Sequence, residues 1–220
     1  MQLTFLFVLT CVISAVAQLD TLWWLLGCDS SPDVGGGGHF KDYGLTQTRG
    51  AIPRKTLVGA GMRRKSLLVA EVDVYAVGLY LTVRKDKEAR KARGWTPKLL
   101  SSGTTVTLLF ARALSGDKIT KAIVDALRSK DKKNKGYRRD LDKLKVMILE
   151  GMGSDGASKG DLIEFTLGSS VEVSVRGRGV GSVKNAELCE QLVALYVDPK
   201  KSLVPELVQC LKDRYVDAGL

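Results

Sequence analysis

Two neighbouring segments decide the fold of this chain: LVGAGMRRK at residues 57–65 and VYAVGLYL at residues 74–81. Both are rich in Val, Leu, Tyr and small residues. In the second segment, alternate side chains would fall on opposite faces of an extended chain. Such a stretch, with a period of two residues, favours strands over a helix. We therefore predict two strands between Leu57 and Val83, separated by a turn or bulge.

The rest of the chain shows alternating helical and extended patterns. Helices are predicted at residues 84–95, from Ser115 onward, and at 140–150, 185–197 and 203–216, with a strand at 104–113 and a hairpin at 161–175. Gly177–Gly181 lacks the spacing of a phosphate-binding loop and is interpreted as a flexible turn with Arg176 and Arg178 exposed. Strands, then helices, a hairpin and more helices predict an α+β domain with a largely antiparallel sheet over residues 51–220.

The N-terminal residues have the composition of a targeting segment. Residues 1–17 carry no charge, and the A-x-A pattern at Ala15–Ala17 marks a cleavage site, although no Lys or Arg comes first. We expect a signal peptide at 1–17, a flexible arm at 18–50, and a secreted or organelle-lumenal protein. The alternatives are an uncleaved anchor that continues through residues 22–26 and a bipartite presequence, for instance to the plastid.

The basic charge of the chain is concentrated in two stretches. The chain has 34 Lys and Arg against 24 Asp and Glu, which gives a net charge of +10. Residues 84–98 contribute +5 and residues 128–145 contribute +6. Only Trp95 and Tyr137 lie among these charges, so base stacking has few partners and no nucleic acid is expected. We expect solvated helix faces, with weak contact to an anionic membrane surface or an acidic partner as the alternative.

The chain has few cysteines and histidines that could bind a metal or form disulfides. Cys11 belongs to the leader, which leaves the odd set Cys28, Cys189 and Cys210. A Cys189–Cys210 bridge stays open on the sequence alone. His39 is the only histidine, so zinc sites and His-dependent triads lack ligands and bases. We predict no metal and no cofactor.

The two opening segments resemble the chalcone isomerase family, in which a G-x-G-x-R strand precedes a (V/F)-(Y/T)-A-(I/V)-G-x-Y-L strand. The likeness continues through FARAL at 110–114, KGDLIEF at 159–165 and GSV at 181–183. The resemblance implies an open-faced β-sandwich, a curved and largely antiparallel sheet backed by helices, with an apolar cleft between them.

The resemblance also singles out ligand-binding positions. Arg63 matches the arginine of the motif, and Tyr75 stands where the isomerases have threonine. The other polar positions of the isomerases fall near Ile119, Ala126 and Arg178, which are not equivalent groups. Arg with Tyr is the pattern of the fatty-acid-binding branch of the family. We therefore predict Arg63 and Tyr75 as ligand-binding residues and assign no catalytic residue.

Three functions follow as expectations from this resemblance. The first is non-catalytic binding of a fatty acid or similar apolar carboxylate, whose head group Arg63 and Tyr75 would hold. The alternative is an intramolecular lyase of the chalcone–flavanone isomerase type, acting on a chalcone-like or unknown substrate with Arg63 as the anion site. The third is an interaction module without a ligand. Because strand side chains alternate, Arg64 competes with Arg63 for the inward position.

Overall fold

The protein is described by a computed structural model that covers residues 55–67, 70–128 and 135–217. The predicted signal peptide (residues 1–17) and arm (18–50) lie outside these described residues. Within them, no helix is both long and apolar enough to cross a membrane.

Six antiparallel strands form the sheet, and each pairs with the next strand along the chain. They are β1 (Lys55–Leu67), β2 (Ala70–Thr82), β3 (Thr104–Phe110), β4 (Leu162–Leu167), β5 (Val171–Val175) and β6 (Arg178–Val183). The two strands predicted at the opening motif and the hairpin at 161–175 are confirmed. The prediction of an α+β fold with an open antiparallel sheet is confirmed as well.

Two helices lie between β2 and β3, two between β3 and β4, and two after β6. They are α1 (Val83–Ala92), α2 (Pro97–Leu100), α3 (Gly116–Arg128), α4 (Lys135–Met152), α5 (Ala186–Val197) and α6 (Pro205–Tyr215). Side chains fix several of their first turns: Thr82 accepts from the backbone N–H of Lys85, and Asn185 accepts from that of Leu188. Such capping satisfies donors that a helix start leaves without intrahelical partners.

The main core lies between the sheet and the helices. On β2 the odd-numbered residues Tyr75, Val77, Leu79 and Leu81 belong to this core, together with most of the apolar face of α5. The even-numbered residues Ala76 and Tyr80 of β2, together with Met62 of β1, form a separate small cluster on the opposite face of the sheet. The alternation seen in the sequence therefore divides a helix-covered face from a second face, as strand geometry requires.

One expected turn is a strand. The glycine-rich stretch predicted as a flexible turn instead forms β6, which pairs with β5 through a bulge between Val173 and Ser174. The turn itself is confined to Arg176 and Gly177, whose φ angles are 52° and 73°. Glycine weakens strand propensity, and here pairing with β5 overrides that local preference. The prediction that Arg178 is exposed is confirmed.

Candidate functional site

Arg63 and Tyr75 stand opposite each other in the β1–β2 ladder. No register shift separates Gly59, Gly61 and Arg63, so these three residues share the face of β1 that meets α6. A Cβ on Gly61 would lie 2.5 Å from Val204 Cγ1 and 2.9 Å from the backbone nitrogen of Leu207. The glycines of the motif therefore let the start of α6 pack directly on β1, which brings that part of the chain to Arg63.

Among the described residues, the guanidinium of Arg63 contacts backbone rather than a carboxylate. Its Nη1 donates to the carbonyl oxygen of Leu203 at 3.4 Å, a long hydrogen bond. Leu203 belongs to the connection between α5 and α6. This bond engages one of the five N–H donors of the guanidinium, and a carboxylate that uses the same donor must displace the carbonyl.

Tyr75 is buried beside the arginine. Its side chain is 7% exposed, and its ring meets Phe110 edge to face with centroids 5.8 Å apart. Burial raises the pKa of Tyr75, while a side-chain hydrogen bond with Tyr196 and the charge of Arg63 act in the opposite direction. Tyr75 is therefore a neutral phenol at physiological pH, able to donate or accept a hydrogen bond.

Tyr196 is a third polar group at this place that sequence reasoning missed. It lies in the last turn of α5 and is buried, and burial, followed by its interactions with Tyr75, raises the pKa of Tyr196 far above that of free tyrosine. A tyrosine within the apolar run at residues 192–197 was the available clue, because a buried phenol needs a hydrogen-bond partner. Arg63, Tyr75 and Tyr196 form what we call the head-group cluster.

Arg64 takes a different role from Arg63. It donates to Asp73 on β2 at 3.1 Å and to Glu206 on α6 at 2.5 Å. The register shift between Arg63 and Arg64 is a bulge whose extra residue, Val74, lies on β2. Both arginines reach the chain around the start of α6: Arg63 donates to the carbonyl of Leu203, and Arg64 forms an ion pair with Glu206.

The remaining positions suggested by the resemblance are not brought into a polar constellation. Ile119 is 4% exposed in the core, Ala126 packs against that core, and Arg178 is exposed on β6. The head-group cluster thus offers a cation and two phenols. This set can bind and orient an anionic group.

A cavity lies elsewhere, on the opposite face of the sheet. It has a volume of about 480 Å³, and neither Arg63 nor Tyr75 lines it. Its lining comes from β4, β5 and β6: Thr166, Glu172, Val173, Ser174, Gly179, Val180, Gly181 and Ser182. On the helix-covered face, Tyr75 and Tyr196 belong to the main core.

The same opposite face carries a row of polar side chains. The ammonium of Lys55 donates to Thr105, whose hydroxyl lies 3.1 Å from that of Thr166. Burial lowers the pKa of Lys55, and the carboxylates of Glu164 and Glu172 partly compensate. No group of three potential metal ligands occurs among the residues that the structure describes.

Cys189 is a free, buried thiol, so it is not bonded to Cys210.

Several cations of the two basic stretches pair with acids on their own helix. Arg90 and Asp86 lie 3.2 Å apart, and Lys143 and Asp140 lie 3.5 Å apart. Local pairing of this kind reduces the field that these helices present to a partner.

The chain is similar to known proteins in both sequence and fold. A family model described as chalcone isomerase-like matches residues 52–201. No curated protein matches the sequence. Among solved structures, the crystal structure of a fatty-acid-binding protein from Arabidopsis thaliana has a TM-score of 0.60 and 23% identity, over 74% of this chain and 87% of that chain.

Proposed function

Since the chain belongs to the chalcone isomerase-like family, we propose that it binds a fatty acid or a similar apolar carboxylate without transforming it. Arg63 and Tyr75 would hold the carboxylate, with Tyr196 as a third partner. The observation that carries this proposal is the direct pairing of Arg63 with a buried tyrosine on the apolar, helix-covered face of the sheet.

The chemistry of the cluster suits a carboxylate. A guanidinium presents a rigid fork of donors, and a phenol adds another hydrogen bond. Hydrogen bonds to charged groups contribute about 1.5–3 kcal/mol each. An acyl tail inserted among the surrounding core side chains would gain about 0.8 kcal/mol per buried CH₂. Together these terms suffice for a tight site without any chemical step.

The comparisons support this choice of ligand class. The Arabidopsis thaliana structure of similar fold is described as a fatty-acid-binding protein. The isomerase alternative rests on Arg63 alone, since the other polar positions carry Tyr75, Ile119, Ala126 and Arg178.

The test begins with the ligand that the protein carries. Native mass spectrometry of the purified protein should show a bound long-chain carboxylic acid, and the delipidated protein should bind oleate saturably at one site. A protein that emerges empty and takes up no C12–C18 fatty acid would refute the proposal. Flavanone formation above the spontaneous rate, lost in Arg63→Ala, would instead establish the isomerase alternative.

We also propose that residues 1–17 direct the protein into the secretory pathway and that the basic helices make at most weak contact with anionic membranes. Fusion of residues 1–17 to a reporter should deliver it to the secretory pathway and remove the leader after Ala17. Binding to phosphatidylserine vesicles should be weak and should vanish at physiological salt. A reporter retained in the cytosol would overturn the targeting proposal.

A further inference from the structure

The connection between α5 and α6 meets the head-group cluster with its backbone. Residues 198–204 form this connection, and the carbonyl oxygen of Leu203 accepts the hydrogen bond from Arg63. That oxygen therefore engages one of the N–H donors of Arg63. A carboxylate held by Arg63 would therefore compete with the protein's own carbonyl group.

Local hydrogen bonds hold the connection in this position. The N–H of Leu203 donates to the carbonyl of Leu195 at 2.8 Å, and the hydroxyl of Ser202 donates to the carbonyl of Tyr196 at 2.6 Å. The same hydroxyl accepts from the N–H of Val204 at 3.0 Å. The connection is thus folded back onto the last turn of α5, next to Tyr196 of the head-group cluster.

One ion pair ties the start of α6 to the sheet. Glu206 Oε1 accepts a hydrogen bond from Arg64, and Arg64 also forms an ion pair with Asp73 on β2. The other oxygen, Oε2 of Glu206, is buried and has no hydrogen-bond partner among the residues that the structure describes. A buried carboxylate oxygen that lacks a donor is unfavourable, so the closed arrangement has one strong contact and one uncompensated one. Such a balance suits a contact that can be released.

We propose that residues 198–206 are a gate over the head-group cluster, closed by the Leu203 carbonyl on Arg63 and held by the Arg64–Glu206 pair. The inference rests on the proposed function. In the closed state one N–H donor of Arg63 is engaged by backbone; when the gate moves away, the whole guanidinium fork becomes available to a carboxylate. Uptake then depends on the fraction of molecules that are open.

The discriminating variant is Glu206→Gln, which keeps the side-chain shape and removes the charge. Loss of an ion pair of this exposure changes an equilibrium by up to about fivefold. Stopped-flow measurement with a fluorescent fatty acid should therefore show association up to about fivefold faster, with an unchanged dissociation rate. A variant that merely damaged the fold would not bind faster.

Hydrogen exchange of the ligand-free protein provides a second readout. In Glu206→Gln, the amides of Leu203, Val204 and Leu207 should exchange faster, while those of the β3–β4 ladder should not change. Asp142→Asn is the matched control, because it removes an exposed carboxylate that pairs with Arg128 at 3.4 Å, outside the gate and the cluster. The control should leave both readouts at wild-type values.

The association rate and the amide exchange each support the gate or overturn it. Association in Glu206→Gln that is no faster than in wild type, or exchange at the three gate amides that is unchanged, overturns the gate. If the wild-type protein binds no fatty acid, the proposed function fails, and the exchange comparison still shows whether the Arg64–Glu206 pair controls opening.

Discussion

Arg63 and Tyr75 are cross-strand partners, joined by the register of β1 and β2 rather than by loops. A cation and a phenol on neighbouring strands are held by the backbone ladder, which loses little entropy when a ligand binds. Preorganisation of this kind raises affinity without additional contacts. The pair is therefore the first target for mutation.

Removal of the guanidinium should weaken binding most. In Arg63→Ala the affinity for oleate should fall by about 1.5–3 kcal/mol, roughly 10- to 150-fold, because a charge-assisted hydrogen bond is lost. Isothermal titration calorimetry measures the change. Arg178→Ala, which removes an exposed arginine of β6, should bind like wild type. Equal losses in the two variants would mean that the overall positive charge, rather than the cluster, attracts the ligand.

The two phenols should act as a coupled pair. Tyr75→Phe keeps the ring against Phe110 and removes only the hydroxyl, so affinity should fall about fivefold, or about 1 kcal/mol. The double variant with Tyr196→Phe should lose less than the sum of the single losses, since the hydroxyls interact. Strictly additive losses in this double-mutant cycle would show that Tyr196 acts independently of Tyr75.

Gly61 should tolerate no side chain. A methyl group there would overlap Val204 and the backbone at Leu207, so Gly61→Ala should lower the free energy of unfolding by about 1–3 kcal/mol. Urea denaturation gives the value. Gly179→Ala is the control in another strand, since no atom of the described residues lies within 4 Å of a Cβ at that position. Similar losses in both variants would indicate a general effect of replacing glycine.

A carboxylate between α1 and α6 should make stability depend on pH. Asp86 accepts from Arg214 at 3.1 Å and from the hydroxyl of Tyr215 at 2.8 Å. Burial opposes ionisation, but these hydrogen bonds outweigh it and hold the pKa of Asp86 below the usual 3.8. The contribution is therefore complete above that value and is lost as the pH falls through the lower folded-state pKa.

The corresponding variant is Asp86→Asn. At pH 7 it should lose about 1–3 kcal/mol, since Arg214 and Tyr215 lose a charged acceptor. The difference from wild type should shrink below pH 4. A difference that stays constant from pH 7 to pH 2.5 in urea denaturation would contradict an ionised Asp86 as its source.

The sequence predicts the pairing of the first two strands because their information is local. Alternation sets the faces, and the G-x-G-x-R motif places Arg63 two residues beyond the glycine on which α6 packs. The β6 strand could not be predicted, since its glycines carry no strand preference and only the neighbouring β5 makes it extended. Local pattern and tertiary pairing conflict there, and pairing prevails.

The site was predictable only in part for a related reason. Tyr196 reaches Tyr75 through the packing of α5 on the sheet, a contact between distant parts of the chain. The Leu203 carbonyl could not be found at all, because every residue has one and only the fold decides which carbonyl meets Arg63.

A sheet in which each strand pairs only with its chain neighbours has two lateral borders. Among the described strands these borders are β1, with 13 residues, and β6. A long border strand invites intermolecular strand pairing, which charged side chains and bulges discourage. The β1–β2 ladder has two register shifts, and β1 carries the basic run Arg63–Lys65 near its end. Lys65 is exposed, whereas Arg64 is held by Asp73 and Glu206. Lys65 should therefore also oppose self-association, so replacing it with an apolar residue would risk aggregation even where ligand binding survives.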